Sequence, residues 1–208
     1  MSATRTRAKP APAKRATPAR ASFRCVPATA ARWNDVERLF GPRGACAGCW
    51  CMWPRLSSAE FRRGKGQGNR RALRRLVTAG RRPGIIAYRG REPVGWCALA
   101  PRADYRRLER SRTLAPVDAE PVWSVPCFFV TREARGAGVT RALLEAAVAT
   151  AKRSGARIVE GYPYDSGGKR VADAWMWFGP AGTFERAGFK EVARRSKTRP
   201  IMRRSTRG

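Results

Sequence analysis

The 208-residue sequence contains no histidine, few acidic residues and no long apolar run. Without histidine, a Ser-His-Asp or Cys-His triad and a histidine-liganded metal site are excluded. No apolar stretch approaches the roughly 20 residues that a membrane-spanning helix requires, and no apolar segment typical of a secretory signal follows Met1. We therefore expect a cytoplasmic protein without a membrane partner.

The shortage of acid leaves a strongly basic chain. Fifteen Asp and Glu residues face 44 Lys and Arg, a formal net charge of +29. The excess is greatest at the two ends, residues 1–22 and 194–208, which contain no acid at all. Such charge favours binding to nucleic acid or another polyanion. However, arginine outnumbers lysine 37 to 7, which indicates a compositional bias, and no zinc-finger or RNP motif is present. Nucleic acid is therefore an alternative partner, not the favoured one.

The length and a hydrophobic content of 43% indicate one folded domain with tails. Residues 1–22 have almost no large apolar side chains, so we predict a disordered basic tail there. The folded domain is predicted over residues 23–203, and residues 204–208 are predicted to form a second basic tail.

Six cysteines without a secretory signal predict free thiols. Cys46, Cys49 and Cys51 lie within six residues, but a structural zinc site requires four ligands and no second cysteine pair follows. We favour no metal site, although a zinc site completed by a distant cysteine stays open. The other interpretations are a buried cluster of thiols and rings, or an acceptor pocket lined by Trp50, Met52 and Trp53.

The most informative stretch runs from residue 122 to residue 162. An apolar strand, interrupted by Pro126, leads into Arg135-Gly136-Ala137-Gly138 and then an amphipathic helix, and residues 157–162 form the next strand. The first N–H groups of a helix have no internal partner and lie at the positive end of its dipole. Glycines allow phosphates to approach the main chain closely. This pattern predicts a pyrophosphate site at the start of the helix, within a strand–helix–strand unit whose two strands are parallel.

Two motifs in this order resemble the signatures of the GNAT superfamily of N-acetyltransferases. Arg135 to Thr140 resembles Arg/Gln-x-x-Gly-x-Gly/Ala, with threonine in the last position. Phe184-x-x-x-Gly188-Phe189 resembles the second signature, Tyr-x-x-x-Gly-Phe. The resemblance covers roughly residues 23–203. It implies an α/β fold in which a mixed, splayed sheet of six to seven strands is flanked by helices.

The resemblance implies transfer of an acetyl group from acetyl-coenzyme A to a primary amine by direct attack. The acceptor would be a small molecule or a protein, and the enzyme a monomer or homodimer. By the same resemblance, the main chain of Phe128 and Val130 would bind the pantetheine arm and the acetyl oxygen, and the glycine turn the pyrophosphate. The expected cofactor-binding residues are Phe128, Phe129, Val130, Arg135, Gly136, Ala137, Gly138, Val139, Thr140 and Arg141.

The acid and base for this reaction are less clearly marked. The tyrosine that often serves as general acid in the family is Phe184 here, which has no proton to donate. We predict Glu160 as general base, with a buried ion pair as its alternative role. Tyr162 is predicted as the acid, with Tyr164, a water molecule or departure of the unaided thiolate as the alternatives. Weaker candidates for the base are Asp118, Glu120 and Asp165. The alternative function is a non-catalytic coenzyme A-binding module attached to nucleic acid through its basic tails.

Overall fold

The computed structural model describes residues 22–168 and 177–207 as a mixed α/β fold, which confirms the predicted class. The strands are β1 (Arg24–Pro27), β2 (Gly84–Arg89), β3 (Glu92–Ala98), β4 (Ala100–Pro101), β5 (Trp123–Val125), β6 (Phe128–Val130), β7 (Ile158–Gly161), β8 (Lys190–Arg194) and β9 (Pro200–Ser205). The helices are α1 (Trp33–Phe40), α2 (Ser58–Arg63), α3 (Gln67–Thr78), α4 (Arg106–Glu109), α5 (Val139–Arg153) and α6 (Ala181–Arg186). Within these ranges, no helix is long and apolar enough to cross a membrane.

The strands form two sheets rather than one continuous sheet. The first has the order β1-β2-β3-β6 and the second the order β4-β5-β7-β9-β8. All pairs are antiparallel except β5 and β7, whose strands are joined through α5 as the sequence predicts. The described part contains nine strands, because the predicted strand that Pro126 interrupts is divided between the sheets as β5 and β6, and the short β4 follows β3.

Pro126 and Cys127 divide the central strand at the position where the sequence predicts a bulge. Before this point, β5 pairs with β7, with Ser124 opposite Glu160. After it, β6 pairs with β3, with Val130 opposite Gly95. Proline cannot donate to a sheet ladder, so the chain leaves one sheet here and enters the other. The result is a gap between β6 and β7.

Two apolar cores lie on the opposite faces of the sheets. Helix α5 packs on one face with Phe184 of α6, and α1 and α3 pack on the other with Trp96. Gly95 permits the close packing of α5, because a Cβ there would lie 2.5 Å from the Val139 side chain. Helix α5 ends at a glycine, since Gly155 follows the cap residue Ser154 with φ of 82°.

Three local predictions from the sequence need correction: Ser58 as the cap of α2, Thr29 as the cap of the first helix, and residues 201–202 as the final edge strand. Ser57, not Ser58, caps α2, because Ser57 Oγ accepts from the Glu60 amide while the Glu60 carboxylate accepts from the Ser57 amide. Thr29 precedes a short 3-10 turn and makes no side-chain cap. The last strand is not an edge strand: β9 lies between β7 and β8, since its buried residues Ile201 and Met202 fill both cores. It also continues to Ser205.

Candidate active site

The glycine turn before α5 has the backbone geometry of an anion site. Gly136 and Gly138 have φ of 73° and 91°, and a Cβ at either position would meet no atom within 4 Å. No side chain caps the helix, so the first amides of α5 are not satisfied from within the turn. Residues 135–138 are exposed. A pyrophosphate therefore fits this turn through main-chain N–H groups at the positive end of the helix dipole.

Strand β6 offers a second main-chain surface next to this turn. Within the described residues, β3 is its one neighbour, so the edge of β6 that faces the gap carries no strand. Phe128 is buried, and Phe129 and Val130 are half-buried. An extended amide-containing chain can pair with such an edge as an added strand does. The pantetheine arm of coenzyme A has this character.

Glu160 and Tyr162 lie in a buried polar network on the face of the second sheet opposite α5. The Tyr162 hydroxyl donates to Glu160 Oε1 at 2.6 Å and lies 2.8 Å from Ser124 Oγ. Arg102 Nη1 reaches both the Tyr162 hydroxyl, at 2.8 Å, and Glu160 Oε1, at 3.2 Å. Arg203 Nε donates to Glu160 Oε2 at 2.7 Å. Both carboxylate oxygens are therefore held by donors.

This arrangement has clear electrostatic consequences. Glu160 is completely buried, and two guanidinium groups compensate its charge, as a buried ion pair requires. The carboxylate thus has the contacts expected for its alternative role. Burial, and then the charge of Glu160, raises the pKa of Tyr162, so that its hydroxyl keeps its proton at neutral pH. The catalytic roles of both residues remain predictions.

The weaker base candidates lie in ion pairs or at the surface. Asp118 accepts from Arg203 Nη1 at 2.6 Å, and this contact lowers the pKa of Asp118. Asp165 pairs with Arg194 at 2.9 Å, and its pKa is lowered first by the Gly167 amide. Glu120 is exposed. Tyr164 forms a β-bridge with Pro180, beyond the end of β7.

Phe184 fills the position of the family tyrosine in the second signature. It is fully buried, and its ring lies edge-on to Phe128 and Phe189 with centroids 5.9 and 5.1 Å apart. A Cβ at Gly161 would overlap this ring. The ring therefore packs beneath the point where β6 and β7 separate, and it supplies shape to the gap rather than a proton.

The cysteine-rich loop divides between core and surface. Trp50 and Met52 are each 4% exposed, and Trp50 packs against Trp33 and Phe40, which favours the interpretation of a buried cluster for these two residues. Their large apolar side chains are more stable in the core. Trp53, in contrast, borders a cavity of about 270 Å³.

The thiols of this loop do not converge. Cys46 is exposed, Cys49 is half-buried and Cys51 is buried, where its sulfur lies 2.7 Å from that of Cys127. No group of three potential ligands that could hold a metal ion occurs in residues 22–168 and 177–207. The buried pair agrees with the packing interpretation for Cys51.

Sequence reasoning did not identify Arg102 or Ser124 as parts of the site. Arg102 is one of 37 arginines, and nothing in its neighbourhood distinguishes it before folding. Ser124 could have been found, because it is a polar residue within an apolar strand that runs parallel to the strand of Glu160. Their contacts depend on the parallel pairing of β5 with β7.

Together, the divided strand, the open edge and the glycine turn form a continuous main-chain surface at the junction of the two sheets. A family model described as the acetyltransferase (GNAT) family matches residues 50–163, more than half of the chain. The chain therefore belongs to the GNAT acetyltransferase family, and the predicted enzyme class, an N-acetyltransferase, is confirmed.

Solved structures with low sequence identity share this fold. A GNAT-family acetyltransferase from Listeria monocytogenes is 7% identical, with 88% of this chain and 94% of that chain covered and a TM-score of 0.52. The PaiA N-acetyltransferase from Thermoplasma acidophilum, in complex with coenzyme A, is 11% identical, with coverages of 88% and 99% and a TM-score of 0.50. An N-acetyltransferase from Staphylococcus aureus is 12% identical, with coverages of 89% and 99% and a TM-score of 0.50. No curated protein sequence matches the chain significantly.

Proposed function

We propose that the protein transfers the acetyl group of acetyl-coenzyme A to a primary amine by direct attack in a ternary complex. The observation that carries the proposal is the open edge of β6 directly upstream of the uncapped glycine turn. The two surfaces follow one another along the chain, as the pantetheine arm and the pyrophosphate do along coenzyme A. The structure of the Thermoplasma protein in complex with coenzyme A supports this ligand for the fold.

The main chain would hold the donor. The edge of Phe128, Phe129 and Val130 would pair with the pantetheine amides, and an amide of this edge would polarise the acetyl oxygen. The pyrophosphate would be held by the turn and the first turn of α5, that is by Arg135, Gly136, Ala137, Gly138, Val139, Thr140 and Arg141. Acetyl-coenzyme A supplies the thioester carbon that the amine attacks and the thiolate that leaves.

Proton transfer is proposed for Glu160 and Tyr162. Tyr162 directly follows the end of β7, where the two sheets separate. Its hydroxyl donates to Glu160 Oε1 at 2.6 Å. This contact gives a short route for a proton from the acceptor ammonium to the carboxylate, and Tyr162 would in turn protonate the leaving thiolate. Because both side chains are buried, the proposal requires that the bound substrates reach the Tyr162 hydroxyl.

Two measurements test the proposal. Thermal shift with coenzyme A and acetyl-coenzyme A tests binding, and an amine panel followed by thiol release tests transfer. Stabilisation by both ligands with amine-dependent thiol release is the expected result. Stabilisation without turnover of any amine would favour the non-catalytic module, whereas no stabilisation by either ligand would refute both functions. Duplex DNA at two salt concentrations tests nucleic-acid binding by the basic chain.

A further inference from the structure

Three aromatic rings beside the gap are flanked by two arginines, and we call these five residues the aromatic–arginine cluster. The rings of Trp53 and Trp177 are 4.7 Å apart, and those of Trp177 and Phe178 are 3.5 Å apart. The Arg107 guanidinium lies 4.6 Å from the centre of the Trp53 ring, and that of Arg199 lies 3.3 Å from the centre of the Phe178 ring.

Both arginines are half-buried and lack a carboxylate partner among the described residues. Burial lowers the pKa of Arg199 to about 10, and burial followed by the charge of Arg62 lowers the pKa of Arg107. The Nε atoms of Arg107 and Arg199 are buried and have no hydrogen-bond partner. Neither forms an ion pair with the described residues, whereas the buried Arg55 and Arg203 both do. Unpaired, partly desolvated cations are costly, and a bound anion would relieve that cost.

A cavity opens beside Arg107. Its volume is about 270 Å³, near the lower end of the range of about 300–1,000 Å³ for small-molecule sites. Its lining comprises Trp53, Ser57, Ser58, Arg106, Arg107 and Arg110. The Glu60 carboxylate compensates Arg106 at 2.8 Å, but Arg110 has no such partner among the described residues. The cavity thus combines an aromatic wall with an excess of positive charge.

The cluster also reaches the proposed reaction centre. Arg199 Nη2 donates to the main-chain carbonyl of Tyr162 at 3.0 Å. Gly179 follows Phe178, and a Cβ there would lie 3.2 Å from the ring of Phe128 on β6. The Arg199 end of the cluster therefore lies next to Tyr162, and the residue after Phe178 packs against β6.

We propose that the aromatic–arginine cluster binds the anionic group of the acceptor, so that the substrate is a small amine that also carries a carboxylate or a phosphate. This inference rests on the proposed acetyl transfer. Arginine binds both anions through paired N–H donors, and the aromatic rings support the guanidinium planes. The cluster would set which amine is accepted, while the glycine turn and β6 hold the donor.

The test uses amine pairs that differ in the anionic group: tyrosine against tyramine, and phosphoethanolamine against ethanolamine. Binding is measured by calorimetry with coenzyme A present, and turnover by thiol release. The variants are Arg107→Met and Arg199→Met, which keep an apolar stem. Arg157→Met is the matched control, because Arg157 is exposed and precedes the opposite end of β7. Thermal unfolding and the Kd for acetyl-coenzyme A verify that each variant is folded.

The expected result is tighter binding of an anionic member of a pair, with a loss of about tenfold or more in each cluster variant and none in Arg157→Met. The two pairs distinguish a carboxylate from a phosphate. Equal affinity within both pairs, or an equal loss in Arg157→Met, would overturn the inference. So would a selective rise in KM for acetyl-coenzyme A, since the arginines would then hold the donor. Binding of the anionic amine without turnover would refute the transfer reaction and leave this site supported.

Discussion

Replacement of Glu160 by glutamine is expected to destabilise the fold much more than an exposed carboxylate does. Removal of one partner from a buried ion pair typically costs about 3–5 kcal/mol. In this variant Arg203 would still pair with the Asp118 carboxylate, which lies 2.6 Å away. We therefore take the lower value, about 3 kcal/mol. For a domain of this size each kcal/mol lowers Tm by about 2–4 °C. The expected fall is therefore about 6–12 °C.

The matched control is Glu145→Gln. Glu145 pairs with Arg141 at 2.8 Å on the exposed face of α5, and such i,i+4 pairs contribute about 0.3–0.5 kcal/mol. Its Tm should change by less than about 2 °C. Thermal unfolding of the two variants by circular dichroism makes the comparison. Equal Tm values would refute the reasoning, because they would show that the Glu160 carboxylate is not held between Arg102 and Arg203 in solution.

Substitution of Tyr162 then distinguishes a structural role of this network from a catalytic role. Tyr162→Phe removes the hydroxyl but leaves both ion pairs of Glu160 in place. If Tyr162 donates the proton, kcat at a temperature well below unfolding should fall by about 10²-fold or more, with little change in the Kd for acetyl-coenzyme A. Turnover equal to that of the unmodified protein would exclude Tyr162 as acid. Full turnover by folded Glu160→Gln would likewise exclude Glu160 as base.

Three further predictions concern the donor site, the thiols and the response to acid. Gly138→Val should weaken coenzyme A binding about tenfold or more, because valine is strained at a φ of 91° and its side chain narrows the phosphate turn. The control is Gly90→Val, which is similarly strained at a φ of 59° in the β2–β3 turn and should leave the affinity for coenzyme A unchanged. A thiol reagent should label Cys46 quickly and the buried and half-buried cysteines slowly until urea is added. Burial raises the pKa of Cys25 and Cys49 to about 11 and holds the pKa of Cys51 and Cys97 well above its ordinary value. Hydrogen bonds with Ser57 lower the pKa of Glu60 to about 2. The ionised carboxylate therefore stabilises the folded protein at pH values above the pKa of unfolded glutamate, and this stabilisation is lost as the pH falls toward 2. Glu60→Gln should lessen the fall in Tm on acidification.

The donor side of the site was predictable because its signals are local. A glycine with positive φ, a proline within a strand and an apolar helical face are each dictated by a few neighbouring residues. Hence the turn at Gly136 and Gly138, the interruption at Pro126 and the helix after them follow from the sequence. They occur in the structure where the sequence predicts them.

The polar network and the cluster depend instead on contacts between distant segments. Arg102 and Glu160 are 58 residues apart, and Trp53 meets Trp177 across a still longer separation. The sequence indicated that Glu160 belonged to a strand beside the gap, but alternation alone could not assign its face. It also left open whether Trp50 and Met52 are buried or line a pocket, because three apolar residues in one loop cannot be divided between core and surface without the packing around them.

Binding of the donor and recognition of the acceptor are expected to depend on different groups of the protein. The donor would be held largely by main-chain groups of β6 and the glycine turn, which can bind any acyl-coenzyme A of suitable length. Side chains that recognise a particular acceptor must instead keep unsatisfied donors until the ligand arrives, and they lower the stability of the free protein for that reason. Arg107 and Arg199, with buried Nε atoms that have no partner, fit this description, whereas Arg102 and Arg203 are already bound to Glu160. Specificity should therefore change with the first two arginines and stability with the second two.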